Sequence, residues 1–127
     1  MRTYEPLALL GFVIAGIIAN IIDRKKSETM REESMLEREL EAKFCRRLRQ
    51  AGAMPLKFVS PGKMGVPDRI VLAPGGRVFF VELKRPGGKA RPIQRRVMEE
   101  MGSLGFMVHV IDSLQGVEAF AREVEAP

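Results

Sequence analysis

The sequence predicts an α/β fold: a mixed β-sheet flanked by helices, in the order α-β-β-β-α-β-α, with an N-terminal hydrophobic helix ahead of it. Three observations predict it. Leu36, Leu40, Phe44 and Leu48 recur every fourth residue, the apolar stripe of an amphipathic helix. Three short apolar runs follow, "LKFV", "DRIVL" and "VFFVEL", bounded by Pro/Gly turns. A fourth run, "FMVHVI", lies between two further stretches of helical period. Strands interleaved with helices in this way pack as a sheet between helical layers. The 127 residues make one small domain, residues 27–127, behind an appended segment, residues 1–26.

Within that appended segment, Leu7 to Ile22 is sixteen residues with Asn20 as the only strongly polar side chain. A bilayer span needs ~17–25 residues, and Pro6 brings the run to that margin. Asp23-Arg24-Lys25-Lys26 follows at once, which for an anchor keeps the C-terminal side in the cytoplasm. Two other readings fit the same residues. One is a greasy oligomerisation helix; the other is an upstream extension, since Met30 and Met35 each offer a start. A cleaved signal peptide fits worse, because its basic charges lie on the wrong flank.

Residues 27–51 read as the amphipathic helix. Ser34 with Glu37 forms a capping-box pattern inside it, and Ala51-Gly52 closes it after Arg46, Arg47 and Arg49. Strand 56–59 and a turn-rich loop, 60–67, come next. Strands 68–72 and 78–83 form a hairpin around "APGGR". The loop "KRPGGKAR" (84–91) is basic and glycine-rich. Pro92 suits the first turn of a helix carrying Ile93, Val97 and Met101 and ending near Gly102. Strand 106–111 leads to Asp112-Ser113, a cap for a last helix with Val117, Phe120 and Val124 on one face.

The hairpin carries the chemistry. Strand side chains alternate, so Val78, Phe80, Glu82 and Lys84 share one side, and Phe79, Val81 and Leu83 the other. A three-residue loop, Pro74-Gly75-Gly76 in a type I turn with a bulge, pairs Ala73 with Arg77. That register sets Asp68 opposite Glu82, whereas an even loop sends the two acids to opposite faces. Opposed residues have Cβ atoms ~4.5–5.5 Å apart, and two ionised carboxylates that close repel unless a cation lies between them. Lys84 is one candidate cation and a divalent metal another; an Asp-Lys-Glu cluster of purely structural use fits the spacing equally well. Oxygen-only ligands suit Mg2+ or Mn2+ rather than zinc.

Pro67-Asp68, thirteen intervening residues and Glu82-Leu83-Lys84 resemble the PD-(D/E)XK nuclease signature. The wider stretch, with "SPGKMGVPDR" and "GGRVFFVELKRPGGKARPIQ", is similar to its VRR-NUC branch, including small stand-alone phage and bacterial members. The resemblance spans roughly residues 35–120 and implies a restriction-endonuclease-like core. It implies that Asp68, Glu82 and the Leu83 backbone carbonyl hold Mg2+ or Mn2+, and that Lys84 positions or activates the attacking water. It also implies a glutamate on the first helix, for which Glu41 fits best and Glu37 lies one turn earlier. Gln94 matches an orienting glutamine of the family. DNA is the implied substrate, branched or structured in preference to a defined sequence, and a homodimer would present two sites to two strands.

Charge agrees with a polyanionic partner. The chain carries 21 Lys/Arg against 16 Asp/Glu, and residues 51–100 alone hold a local +6. Lys63, Arg85, Lys89, Arg91, Arg95 and Arg96 flank the motif and form the expected phosphate-contacting set. Cys45, the single cysteine, excludes an internal disulfide and reads as packing, in keeping with a cytoplasmic domain, free or tethered to the inner face of a membrane. His109 has no second histidine to work with. Tyr4 and the phenylalanines show no interleaving with basic residues; Phe58, Phe79, Phe80, Phe106 and Phe120 read as core. A non-catalytic DNA-binding module, or a membrane-tethered adaptor with a basic face, are the rival readings.

Overall fold

The computed structural model describes residues 6–127; Tyr4 and the beginning of the 1–26 segment lie outside the described residues. The chain divides into two compact units, Met1–Met35 and Leu36–Pro127. The first is helical throughout its described part. The segments expected at 7–22 and 27–51 form one unbroken helix, α1 (Pro6–Gln50), because neither Gly nor Pro occurs between Gly16 and Gly52. Ser34 is therefore interior to a helix and caps nothing.

The second unit holds the C-terminal part of α1, then β1 (Met54–Lys57), β2 (Arg69–Ala73), β3 (Arg77–Leu83), α2 (Pro92–Ser103), β4 (Val108–Ile111) and α3 (Leu114–Glu125). This is the predicted α/β order. The four strands lie in sequence order in one sheet, β1-β2 and β2-β3 antiparallel and β3-β4 parallel, with α2 as the crossover. A Schellman motif ends α1: Ala53 N–H donates to Leu48 O and Gly52 N–H to Arg49 O. Ser113 caps α3, its hydroxyl accepting Gly116 N–H at 3.0 Å.

One sheet face makes the core. Leu40, Phe44 and Leu48 of α1 and Val117, Phe120 and Val124 of α3 pack against Val71, Val81 and Leu83. The ring of Phe120 lies 6.2 Å from Phe44 and 5.5 Å from Phe79, joining both helices to β3. Phe44 is fully buried, so Phe44→Ala would cost about 3–5 kcal/mol. Arg47 ties the same helices at the surface, donating to both Glu118 and Glu125.

The opposite face is largely open. Leu72, Val78 and Val110 are exposed there, and Phe80 meets Phe106 edge-on. Phe58 and Phe106 are themselves exposed, which corrects their reading as core: apolar type does not reveal which face lacks a covering layer. Helix α2 ends at Ser103 rather than Gly102, and β4 begins at Val108 because Phe106 N–H is spent on Met101 O.

Candidate active site

The β2-β3 register pairs Ala73 with Arg77, Leu72 with Val78 and Arg69 with Val81, as a three-residue loop requires. Gly75 and Gly76 both take positive φ, 81° and 73°. Positive φ at the residue after Pro74 is the type II pattern, not the expected type I, and the odd parity survives the change. One step beyond the last pair, Asp68 and Glu82 meet. Asp68 N–H donates to Glu82 Oε2 at 3.0 Å, and Leu83 N–H donates to Asp68 Oδ1 at 3.1 Å. Buried Pro67 precedes Asp68, whose carbonyl accepts Phe58 N–H at 2.7 Å, so the backbone there is fixed from both sides.

Glu82 is 3% exposed and Gln94 5%. Lys84 Nζ lies 3.0 Å from Glu82 Oε1 and donates to Gln94 Oε1 at 2.7 Å. Gln94 Nε2 donates to the same Glu82 oxygen at 2.5 Å. At the third residue of α2, Gln94 also accepts Arg91 N–H at 2.8 Å, one half of a capping box. A single amide thus caps α2 and fastens the acid and the ammonium to each other. The loop before β2 rests on this helix: a Cβ at Gly65, φ 82°, would meet Ile93 O at 2.8 Å.

Burial pushes the Asp68 carboxyl above its ordinary range, with the Glu82 charge adding to the rise and Leu83 N–H opposing it. Asp68 and Glu82 line one cleft of about 460 Å3 with Lys84, Gln94 and Glu37. Arg85, Lys89 and Arg91 form its basic rim. Lys63 instead pairs with Glu100, and Arg95 donates to Ala90 O at 2.9 Å. Arg96 is not among the residues lining the cleft; its charge acts on Glu100.

The first-helix acids separate. Glu37 borders the cleft, whereas Glu41 is bound to Arg69 at 2.8 Å, which holds its carboxyl below the usual range. Arg69 is the residue that sequence reasoning passed over. It is 5% exposed, on the core face with Val71 and Ala73, and its Nε stands 4.0 Å from Asp68 Oδ2 without a hydrogen-bond partner. The signal was an arginine at an inward position of an alternating strand.

No group of three or more His, Cys, Asp or Glu suited to a metal occurs among the described residues. Mg2+ is commonly held by one or two carboxylates, with water and substrate phosphate completing its shell. Two hard oxygen donors converging in a basic cleft fit that pattern. Two carboxyl groups this close, with burial already raising Asp68, also gain from added positive charge.

No family model matches the chain. The chain is 45% identical over 74 residues to "Putative nuclease p44" of Acyrthosiphon pisum secondary endosymbiont phage 1, covering 58% of this chain and 80% of that protein. Among solved structures, a "VRR_NUC domain" superposes with a TM-score of 0.63 at 29% identity, covering 68% of this chain and 94% of that one.

Proposed function

The chain belongs to the VRR-NUC family of nucleases, and on that premise we propose that it is a metal-dependent endonuclease hydrolysing phosphodiester bonds in DNA. One observation carries the reading: two carboxylates meet across neighbouring strands in one cleft, with a lysine ammonium on one of them. In this reading Asp68, Glu82 and the Leu83 carbonyl hold Mg2+ or Mn2+. When bound, the ion supplies a more acidic water and positive charge at the scissile phosphate, together worth several kcal/mol of barrier.

The remaining work falls to the chain's own side chains. Lys84 offsets charge developing on the phosphate and orients the attacking water, while Gln94 fixes Lys84 and Glu82 in mutual register. Glu37, on the cleft wall, takes the first-helix role through water; Glu41 is committed to Arg69. Arg85, Lys89 and Arg91 meet backbone phosphates, which gives affinity without sequence readout. Branched or structured DNA is the substrate class that the family resemblance implies. The open apolar sheet face around Leu72, Val78 and Val110 supports a homodimer.

The test incubates the purified chain with plain, nicked and four-way-branched DNA, with Mg2+, Mn2+ or EDTA. Cleavage is expected with either metal and not with EDTA, and most strongly on the branched substrate. Equal activity of Asp68→Asn and the unaltered chain overturns the site. Salt-sensitive binding without cleavage under any metal makes the protein a DNA-binding module instead.

A further inference from the structure

We propose that residues 7–22 cross a lipid bilayer and tether the nuclease unit to the cytoplasmic face of a membrane. This rests on the first compact unit alone and not on the chemistry of the cleft. From Leu7 to Ile22, ten large apolar side chains are each exposed by 46% or more. Ala8, Ala15 and Ala19 fill the arc they leave, so no face of the helix is polar except at Asn20. By length and composition the helix is apolar enough to cross a membrane, and its most apolar stretch is not buried.

The distribution fits lipid better than a helix packed on a second copy in water or the core helix of a soluble protein. A helix that packs against a second copy in water needs one apolar stripe and a polar remainder. Here the only strongly polar side chain is Asn20. A core helix of a soluble protein would be covered by its own chain, and none of this window is covered. An α-helix apolar all round and about the length of a hydrocarbon core is the solution that satisfies every backbone group inside lipid. The end of the run agrees, because Arg24, Lys25 and Lys26 follow Asp23 at once and such residues remain on the cytoplasmic side.

The experiment expresses the full chain in bacterial cells and washes the membranes with sodium carbonate. The intact chain is expected in the washed pellet. Added protease should digest the nuclease unit in inverted vesicles and spare it in sealed spheroplasts. The double variant Ile14→Arg/Ile17→Arg, remote from the cleft residues, should lower the pelleted share by about tenfold or more and leave cleavage per molecule unchanged. Release of the unaltered chain by carbonate or by salt alone overturns the proposal. So does a membrane-bound chain shortened by removal of the apolar run, or equal pelleting of the variant. Loss of cleavage by Asp68→Asn bears on the nuclease reading and leaves this partition unchanged.

Discussion

Glu82 accepts the backbone N–H of Asp68 at 3.0 Å, so the two acids are locked together by main chain as well as by side chain. The lock has a cost. Burial, and after it the Glu82 charge, raises the Asp68 carboxyl above its ordinary value. A raised folded-state pKa contributes stability that is complete below the unfolded value and lost as pH rises through the folded one. Once ionised, Asp68 therefore destabilises the metal-free fold. Asp68→Asn should raise the melting temperature in EDTA at neutral pH, with the gain fading towards acid pH. Cleavage should fall by about 100-fold or more, since a lost ligand removes several kcal/mol of barrier lowering. Thermal melts and initial rates on one preparation check both halves.

Gln94 serves three partners, and removing it should damage both fold and rate. Gln94→Leu strips a donor from buried Glu82 and an acceptor from Lys84 and Arg91 N–H. Unsatisfied buried groups cost about 1–3 kcal/mol each. The expected result is a destabilisation on that order, read by denaturant melts, with a lower kcat. Gln94→Glu keeps the acceptor, loses the donor to Glu82 and adds a third negative charge. Its added charge should make it the less stable variant as pH rises, which melts at two pH values would reveal.

Glu37 and Glu41 should separate by readout. Glu41→Gln leaves Arg69, 5% exposed, with only the longer 4.0 Å pair to Asp68. The cost should be about 1–3 kcal/mol, below that of a fully buried pair because Glu41 keeps contact with water. Glu37→Gln, on the cleft wall, should slow cleavage with little change in melting temperature. The opposite pattern would return the catalytic assignment to Glu41.

The rim predicts a graded salt response. Lys89→Ala and Arg91→Ala should each flatten the slope of log affinity against log salt by about 0.9 for duplex DNA. Lys63→Ala should leave the slope nearly unchanged, since that ammonium is engaged by Glu100. Fluorescence anisotropy across a salt series measures all three.

What could be read in advance was local. Pro74-Gly75-Gly76 sets the hairpin parity by length alone, so the meeting of Asp68 with Glu82 followed without knowledge of the rest. Choosing between Glu37 and Glu41 required knowing where α1 crosses the sheet, because both lie in one row of the helix. Lys63 reads as one of the phosphate-contacting cations until α2 brings Glu100 to it. The exposure of Phe58 and Phe106 was hidden because "VFFVEL" is apolar on both faces over most of its length and does not announce an uncovered side.

Arg47 binds the ends of α3 to α1 through Glu118 and Glu125, and its hydrogen bonds hold both carboxyls below their ordinary 4.5. A lowered folded-state pKa contributes stability that is present above the unfolded value and lost as pH falls through the folded one. Arg47→Met keeps most of the side chain's apolar stem, so its effect should come chiefly from the lost pairs. The variant should therefore melt below the unaltered protein at neutral pH. The gap should narrow as pH drops below 4.5 and close once both carboxyls are protonated. Glu118→Gln should reproduce part of the same trend, because Glu125 still answers Arg47. Both groups sit at the surface, so added salt should shrink the neutral-pH gap too. A gap that stays constant from neutral pH to about pH 3 would mean that Arg47 acts through packing and not through charge.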